Sequence, residues 1–385
     1  MDSLSQIVLG ASVQGTLLGK YQGRKAYLYG AMLGTLPDLD VLVHYPDPIS
    51  DMTYHRGFSH SLIVLTAVGI IGAWLISRYH QWRNMPLPYS KARLTLAMTL
   101  ALTTHPILDS FTVYGTQLLW PLQESLSLTP FSIASMFIID PLYTLPLLVA
   151  LLLGLIKGSR LIAFKAGLLV NCQRFALWML LLSSSYLLLS LGLKYHAQSQ
   201  AKQTLAAANI HTTRLKTMPA LPTVLMWRTV AEDDQDRLIE VRGSVLDSRL
   251  PEYRYLTQYD NSQTLRVNMP AQSRPYAHRL DWFSGDWTGY RVQMLPATST
   301  TSDAAEQLVV DDLRMMAGDT AFFSFVLANK IGQGAPWQSI TPIEAPVIKT
   351  DGEPEVSRIE LVKQGFVRVF DESVVDRGTG WKVVE

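Results

Sequence analysis

The sequence predicts an α-helical integral membrane domain over residues 1–194, followed by a soluble β-rich or α+β domain over residues 195–385. About five to six membrane segments are expected, the first two spanning imperfectly or re-entering. Three observations predict this fold class. Almost all the long apolar runs fall in the first half of the chain. Basic residues cluster in every second loop between those runs. The second half instead carries short alternating or β-branched stretches separated by turn-forming residues.

Taken in order, residues 4–18 form a short apolar segment interrupted by Ser, Gln and Thr, and residues 26–43 one that contains Pro37 and two aspartates. These two suit a tight pair, because irregular backbone is tolerated in a membrane where protein buries it. The clearest spanning segments are 61–77, 94–108, 136–156 and 175–193, near the length of about 17 to 25 residues that a crossing helix needs. Lys20, Arg24 and Lys25 mark one basic loop; Arg78, Arg83, Lys91 and Arg93 a second; and Lys157, Arg160, Lys165 and Arg174 a third. The loop at 44–58 has only Arg56, and 111–134 has neither Lys nor Arg. Since basic loops stay in the cytoplasm, the other two loops face outward, and so does the chain beyond Lys194. The acidic start, without a basic n-region, reads as no cleavable signal peptide.

In the second half, residues 198–208 read as a helical linker and residues 238–246, 321–327 and 366–370 as strands. Trp227, Trp282, Trp287 and Trp337 read as core or interface residues. The net charge of +1 gives no field that would attract nucleic acid. A single cysteine, Cys172, excludes an intrachain disulfide and a cysteine-rich zinc site.

The residues that carry chemistry lie where apolar segments meet the outward side. They are Asp38 and Asp40 in TLPDLD, His55 and His60 in HRGFSH, His105 and Asp109 in HPILD, and Asp140 in FIIDPLY. Ionisable side chains are costly in or near hydrocarbon, so such residues point to function. A mixture of His and Asp suits a divalent metal: zinc first, with manganese or iron as alternatives, in one or two ions. His105 and Asp109, four apart on a helix, share a face and can address one ion, or can lock two helices together. Pro106 should bend that helix or mark its edge. Gly57 implies a turn that lets His55 and His60 reach one cavity from different backbone elements, and His55, His60, His105 and Asp109 are the expected metal ligands. Asp38 and Asp40 are each a ligand, a general base or a helix cap, and Asp140 a ligand, an acceptor for a ligand histidine, or a cap. Arg56 pairs with an anionic substrate group such as a phosphate, bridges to Asp47 or Asp51, or contacts a lipid headgroup. His44, His80, His196, His211 and His278 lack comparable neighbours and read as surface or packing residues.

MDSLSQIVLGA, GTLPDLDVL, YHRGFSHSL, THPILDSFTVYGTQLLWP and FIIDPLYTLPLL together resemble the LexA-regulated, inner-membrane metal-dependent hydrolase family (YdjM-like), over roughly residues 1–195. The resemblance implies a bacterial inner-membrane protein and a metal-dependent hydrolase, with motif positions at Asp38, Asp40, His55, His60, His105 and Asp109. The leading expectation is hydrolysis by water activated at a divalent ion, with a carboxylate taking the proton. The substrate expected at the bilayer edge is amphiphilic, a lipid phosphoester or ester, and membrane lipids are the expected surroundings. The alternatives are a metal-ion or proton transporter, and a non-enzymatic protein whose metal staples its helices. A transporter would need ionisable groups continuing across the membrane, and residues 175–193 carry no charge.

Overall fold

The computed structural model describes residues 2–158, 161–163, 169–221, 223–295, 305–332, 334–346, 367–371 and 380–384. Arg160 and Lys165 of the third basic loop, and Phe366, lie outside them. The chain divides into two compact units, one of residues Met1–Val43 and Tyr54–Leu191, the other of His44–Thr53 and Gly192–Glu385.

The first unit is helical. Asp2 starts α1 (Ser3–Gln22) by accepting the Ser5 amide at 3.1 Å, which satisfies an otherwise orphaned N–H. Gly23, at φ 57°, reverses the chain into α2 (Arg24–Thr35). Small residues let these two helices close on each other: a Cβ on Gly34 would lie 3.2 Å from the Gly10 Cα, and the Tyr27 ring occupies the space beside Gly15. Pro37 then tightens the chain into a 3₁₀ turn, Leu36–Leu42. The next segment belongs to the second unit and forms a short helix, α3 (Pro48–Tyr54). Back in the first unit, a second 3₁₀ turn, Phe58–His60, leads to α4 (Leu62–Trp82), capped by Ser61. Then come α5 (Lys91–Asp109), the single turn α6 (Leu122–Ser125), α7 (Pro141–Lys157), a small hairpin of β1 (Leu161–Ala163) and β2 (Leu169–Asn171), and α8 (Cys172–Ala207). α1 sits at the centre, packed on α2, α5 and α7, while α4 packs on α5. Val8, Leu18, Tyr27, Ala97 and Leu147 are in the core.

Two helices, α4 and α8, are long and apolar enough to cross a membrane; α7 is apolar but only 17 residues long. The other expected segments fall short for physical reasons. α2 has 12 residues, a rise of about 18 Å. α1 and α5 bury Ser5, Gln6, Ser12 and Gln14, and Thr103, His105 and Asp109, so their polarity is turned into protein. The expected sixth segment and the helical linker after it are one helix, since α8 runs unbroken for 36 residues.

The second unit holds two four-stranded antiparallel sheets. β3 (Thr212–Leu221), β4 (Thr223–Asp233), β5 (Leu238–Ser244) and β6 (Glu252–Tyr255) pair in sequence order. Helices α9 (Ser262–Asn268) and α10 (Arg274–Ser284) follow. β7 (Thr288–Leu295), β8 (Ala305–Asp312), a small pair of β9 (Met316–Ala317) and β10 (Thr320–Ala321), β11 (Ser324–Ile331) and β12 (Gln338–Glu344) come next. The second sheet runs β12-β11-β8-β7. Ala201 and Leu205, near the end of α8, pack on Ala231, Ile239 and Val241 of the first sheet.

Strands occupy 238–244 and 324–327 as the pattern predicts, and Trp227 and Trp287 are buried. Residues 367–370 form a helical turn rather than a strand, with the Asp371 amide donating to the Val367 carbonyl at 3.0 Å. A short alternating run does not choose between the two periods. Here tertiary bonds hold the turn: Arg368 to Asp247 at 2.8 Å and Ser244 to the Val369 carbonyl at 3.0 Å. Glu240, fully buried on β5, is held by Arg228 at 2.5 Å and by Arg254 at 2.6 Å. Burial raises that carboxyl, but Arg228, Arg242 and Arg254 together hold it well below the usual range.

Candidate metal centre

Three backbone elements of the first unit supply the donors. The Leu36–Leu42 turn brings Asp38, the Phe58–His60 turn brings His60, and the last turn of α5 brings His105 and Asp109. One atom from each of these four lies within 4.8 Å of all the others. The His60 and His105 Nε2 atoms are 3.1 Å apart. Asp38 Oδ1 is 3.5 Å from His60 Nε2 and 3.2 Å from His105 Nε2. Asp109 Oδ2 is 3.3 Å and 3.5 Å from the same two nitrogens. A tetrahedral zinc with bonds of about 2.0–2.1 Å has ligand–ligand edges of about 3.3 Å. Five of the six edges of this donor set therefore match that geometry.

The tautomers agree with it. His105 Nδ1 lies 2.6 Å from the Gly34 carbonyl oxygen, which only accepts, so Nδ1 carries the proton. Ser59 donates to Asp40 Oδ2 at 2.5 Å and can then accept from His60 Nδ1 at 2.8 Å. In the neutral rings both Nε2 atoms thus present lone pairs to each other and to two carboxylates, an arrangement that a divalent cation would complete. The donor set fits a divalent ion.

Around this set lie the groups that orient it. Gln6 on α1 donates to Asp109 Oδ1 at 2.8 Å and to the His105 carbonyl at 3.2 Å. Asp40 accepts the Arg56 amide at 3.0 Å and sits 3.1 Å from His55 Nδ1 and 3.6 Å from His60 Nδ1. The fold thus places Asp40 and His55 behind His60, outside the group of four. Arg56, at φ 61°, puts Nε 3.4 Å from Asp109 Oδ2 and its guanidinium over the Tyr114 ring at 4.8 Å. Its partner is therefore Asp109; Asp47 and Asp51 instead bond the chain locally, at Ser50 and at the Tyr45 amide. Asp140 caps α7 through the Leu142 amide and accepts from the Tyr186 hydroxyl at 2.8 Å. Among the described residues it does not join the four-residue group.

Sequence reasoning missed Gln6, Ser59 and the Gly34 carbonyl. Gln6 had a signal, a polar amide within an apolar segment. The Gly34 oxygen is backbone and had none.

These features define a helical membrane protein with a candidate metal centre built from two histidines and two aspartates. Residues 1–197 match the model of the family described as YdjM inner membrane protein, and the chain belongs to that family. No curated protein matches the chain. No solved structure matches it either.

Proposed function

We propose that the first unit is a membrane-embedded, metal-dependent hydrolase acting on an amphiphilic phosphoester or ester. The observation that carries this reading is the donor set of Asp38, His60, His105 and Asp109, with five edges of 3.1–3.5 Å. A bound divalent ion, zinc first and manganese or iron next, would supply Lewis-acid polarisation and lower the pKa of water at the site. The chain's residues do the rest. His60 and His105 are fixed in one tautomer by Ser59 and the Gly34 carbonyl. Asp38 is the most open of the four, with its side chain 19 % exposed, and is the carboxylate placed to take a proton from water. Asp40 holds His55 and His60 in place. Arg56, beside Asp109, offers a guanidinium to an anionic substrate group.

The alternation of basic loops supports an orientation with Lys20, Arg83 and Lys157 in the cytoplasm and the centre and second unit in the periplasm. In that arrangement α1, α5 and α7 cross the membrane with α4 and α8, and α2 with the Leu36–Leu42 turn carries the chain back from the Lys20 side to the side of the centre.

One observation favours a second reading, a structural metal that staples the helices: four protein donors close a tetrahedron, as structural zinc sites do. A hydrolytic site would instead need a position open to water, and Asp38 is the donor most exposed to solvent. The test is turnover of phosphoester and ester lipids in mixed micelles by the zinc- or manganese-loaded chain. The hydrolase reading expects metal-dependent turnover that Arg56→Ala abolishes while metal is retained. Tightly held metal with no turnover on either class would leave the staple.

A further inference from the structure

Away from the candidate metal centre, the ends of α4 and α5 border an open cleft of about 550 Å3. Its polar lining includes Ser77, His80, Gln81, Asn84, Ser90 and Lys91. Around it the residues from 77 to 93 carry four cations, Arg78, Arg83, Lys91 and Arg93, and not one Asp or Glu. Among the described residues none of the four has an acidic partner: Arg93 donates to the Tyr21 hydroxyl at 2.7 Å, and Arg83 stacks on Trp82. The adjoining end of α1 adds Lys20, and Gln22 ties it to the cleft through the Tyr89 hydroxyl at 2.7 Å.

The cleft lies at the end of α4, a candidate membrane span. Ile71, Leu75, Tyr79 and Trp82 recur along one stripe of α4, a candidate membrane span, and all are exposed. Trp82, 75 % exposed at the end of that helix, and Tyr79 beside it are the amphipathic rings that sit at headgroup level. An apolar stripe that leads to an acid-free cleft, lined by Lys91 and with Arg78, Arg83 and Arg93 next to its lining residues in the chain, matches a molecule with acyl chains on one side and a phosphate on the other. Excess positive charge with no carboxylate selects a net negative headgroup over a zwitterionic one.

We propose that this cleft is a binding site for an anionic phospholipid, with the headgroup phosphate among His80, Asn84 and Lys91 and the acyl chains along the exposed stripe of α4. The site does not involve the metal centre, and the two readings stand or fall separately.

The test is native mass spectrometry of the full chain in detergent, titrated with dioleoylphosphatidylglycerol and, separately, with dioleoylphosphatidylcholine. The expected result is tighter binding of the phosphatidylglycerol. Arg83→Gln with Lys91→Gln should weaken it by about fivefold for each cation removed, leaving phosphatidylcholine binding unchanged. Both positions are exposed, so melting temperature and metal content should stay at wild-type values. Asn84→Asp, which adds a charge at an exposed lining residue, should weaken phosphatidylglycerol in the same direction. Equal binding of the two lipids, or a phosphatidylglycerol preference that survives the substitutions, would overturn the proposal. Displacement of the lipid by millimolar inorganic phosphate would assign the cleft to free phosphate instead.

Discussion

Gln6→Leu removes the amide that ties α1 to the metal centre while keeping the side chain's approximate volume. The wild-type Gln6 is buried, and its Nε2 donates at 2.8 Å to Asp109 Oδ1, the oxygen not facing the histidines, and at 3.2 Å to the His105 carbonyl. Nothing in the substitution touches the four donor atoms. Its effect is on how Asp109 is aimed and how much charge its second oxygen retains. A hydrogen bond to a charged group is worth about 1.5–3 kcal/mol. At about 1.4 kcal/mol per tenfold, that is about 10- to 100-fold in affinity. The same range, about 10–100-fold, is typical when an outer partner of a metal ligand is lost. The assay is competition between the detergent-purified chain and a chromophoric zinc chelator, with wild type and variant compared at one pH and salt concentration. The expected result is weaker zinc binding within that range, from a variant that remains monodisperse. Wild-type affinity in a well-folded Gln6→Leu chain would refute the reasoning, because Asp109 would then not depend on the contact that orients it.

Two further outcomes follow from the orientation and from the second unit. A reporter fused after Glu385 should behave as periplasmic, and cytoplasmic labelling there would reverse the assignment of the basic loops. Lys216 on β3 has its ammonium pushed down to about 7 by burial and by the nearby Arg314. Its folded pKa lies below the unfolded value of about 10.4, so the unfolded chain binds the extra proton between those limits. Lys216 therefore costs stability in full below pH about 7, and the cost shrinks as pH rises toward about 10. Lys216→Met should raise the melting temperature of the second unit most at pH about 6 and progressively less at higher pH. An equal gain at every pH would contradict the depressed pKa.

The candidate metal centre was legible in the sequence to the extent that it depends on side chains of rare type in apolar surroundings. Asp38, His60, His105 and Asp109 stood out because His and Asp are expensive there, and His105 and Asp109 because their spacing of four fixes a common face. The division of labour among the remaining residues was not legible. His55 and Asp40 carry the same chemistry as the donors, and only the turn at Arg56 and Gly57 decides that they stand behind His60. Asp140 shares its residue type with Asp38 and Asp109, yet its position just before Pro141 makes it a helix cap. Gly34 contributes through its backbone oxygen, to which no sequence pattern points. Hydropathy alone located α4 and α8. It does not determine how α1 and α5 sit, since their serines, threonines and glutamines are accommodated by packing against each other rather than by lipid. In the second unit the β-branched runs marked β5 and β11, whereas residues 367–370 took a helical turn through contacts that are distant in sequence.

The most direct test of the central claim is elemental analysis of the detergent-purified chain, with His60→Ala and His105→Ala beside wild type and each sample checked for monodispersity. The account predicts stoichiometric zinc or manganese in wild type, lost from both variants while they remain folded. A wild-type chain that holds no metal after incubation with zinc, manganese or iron would contradict it.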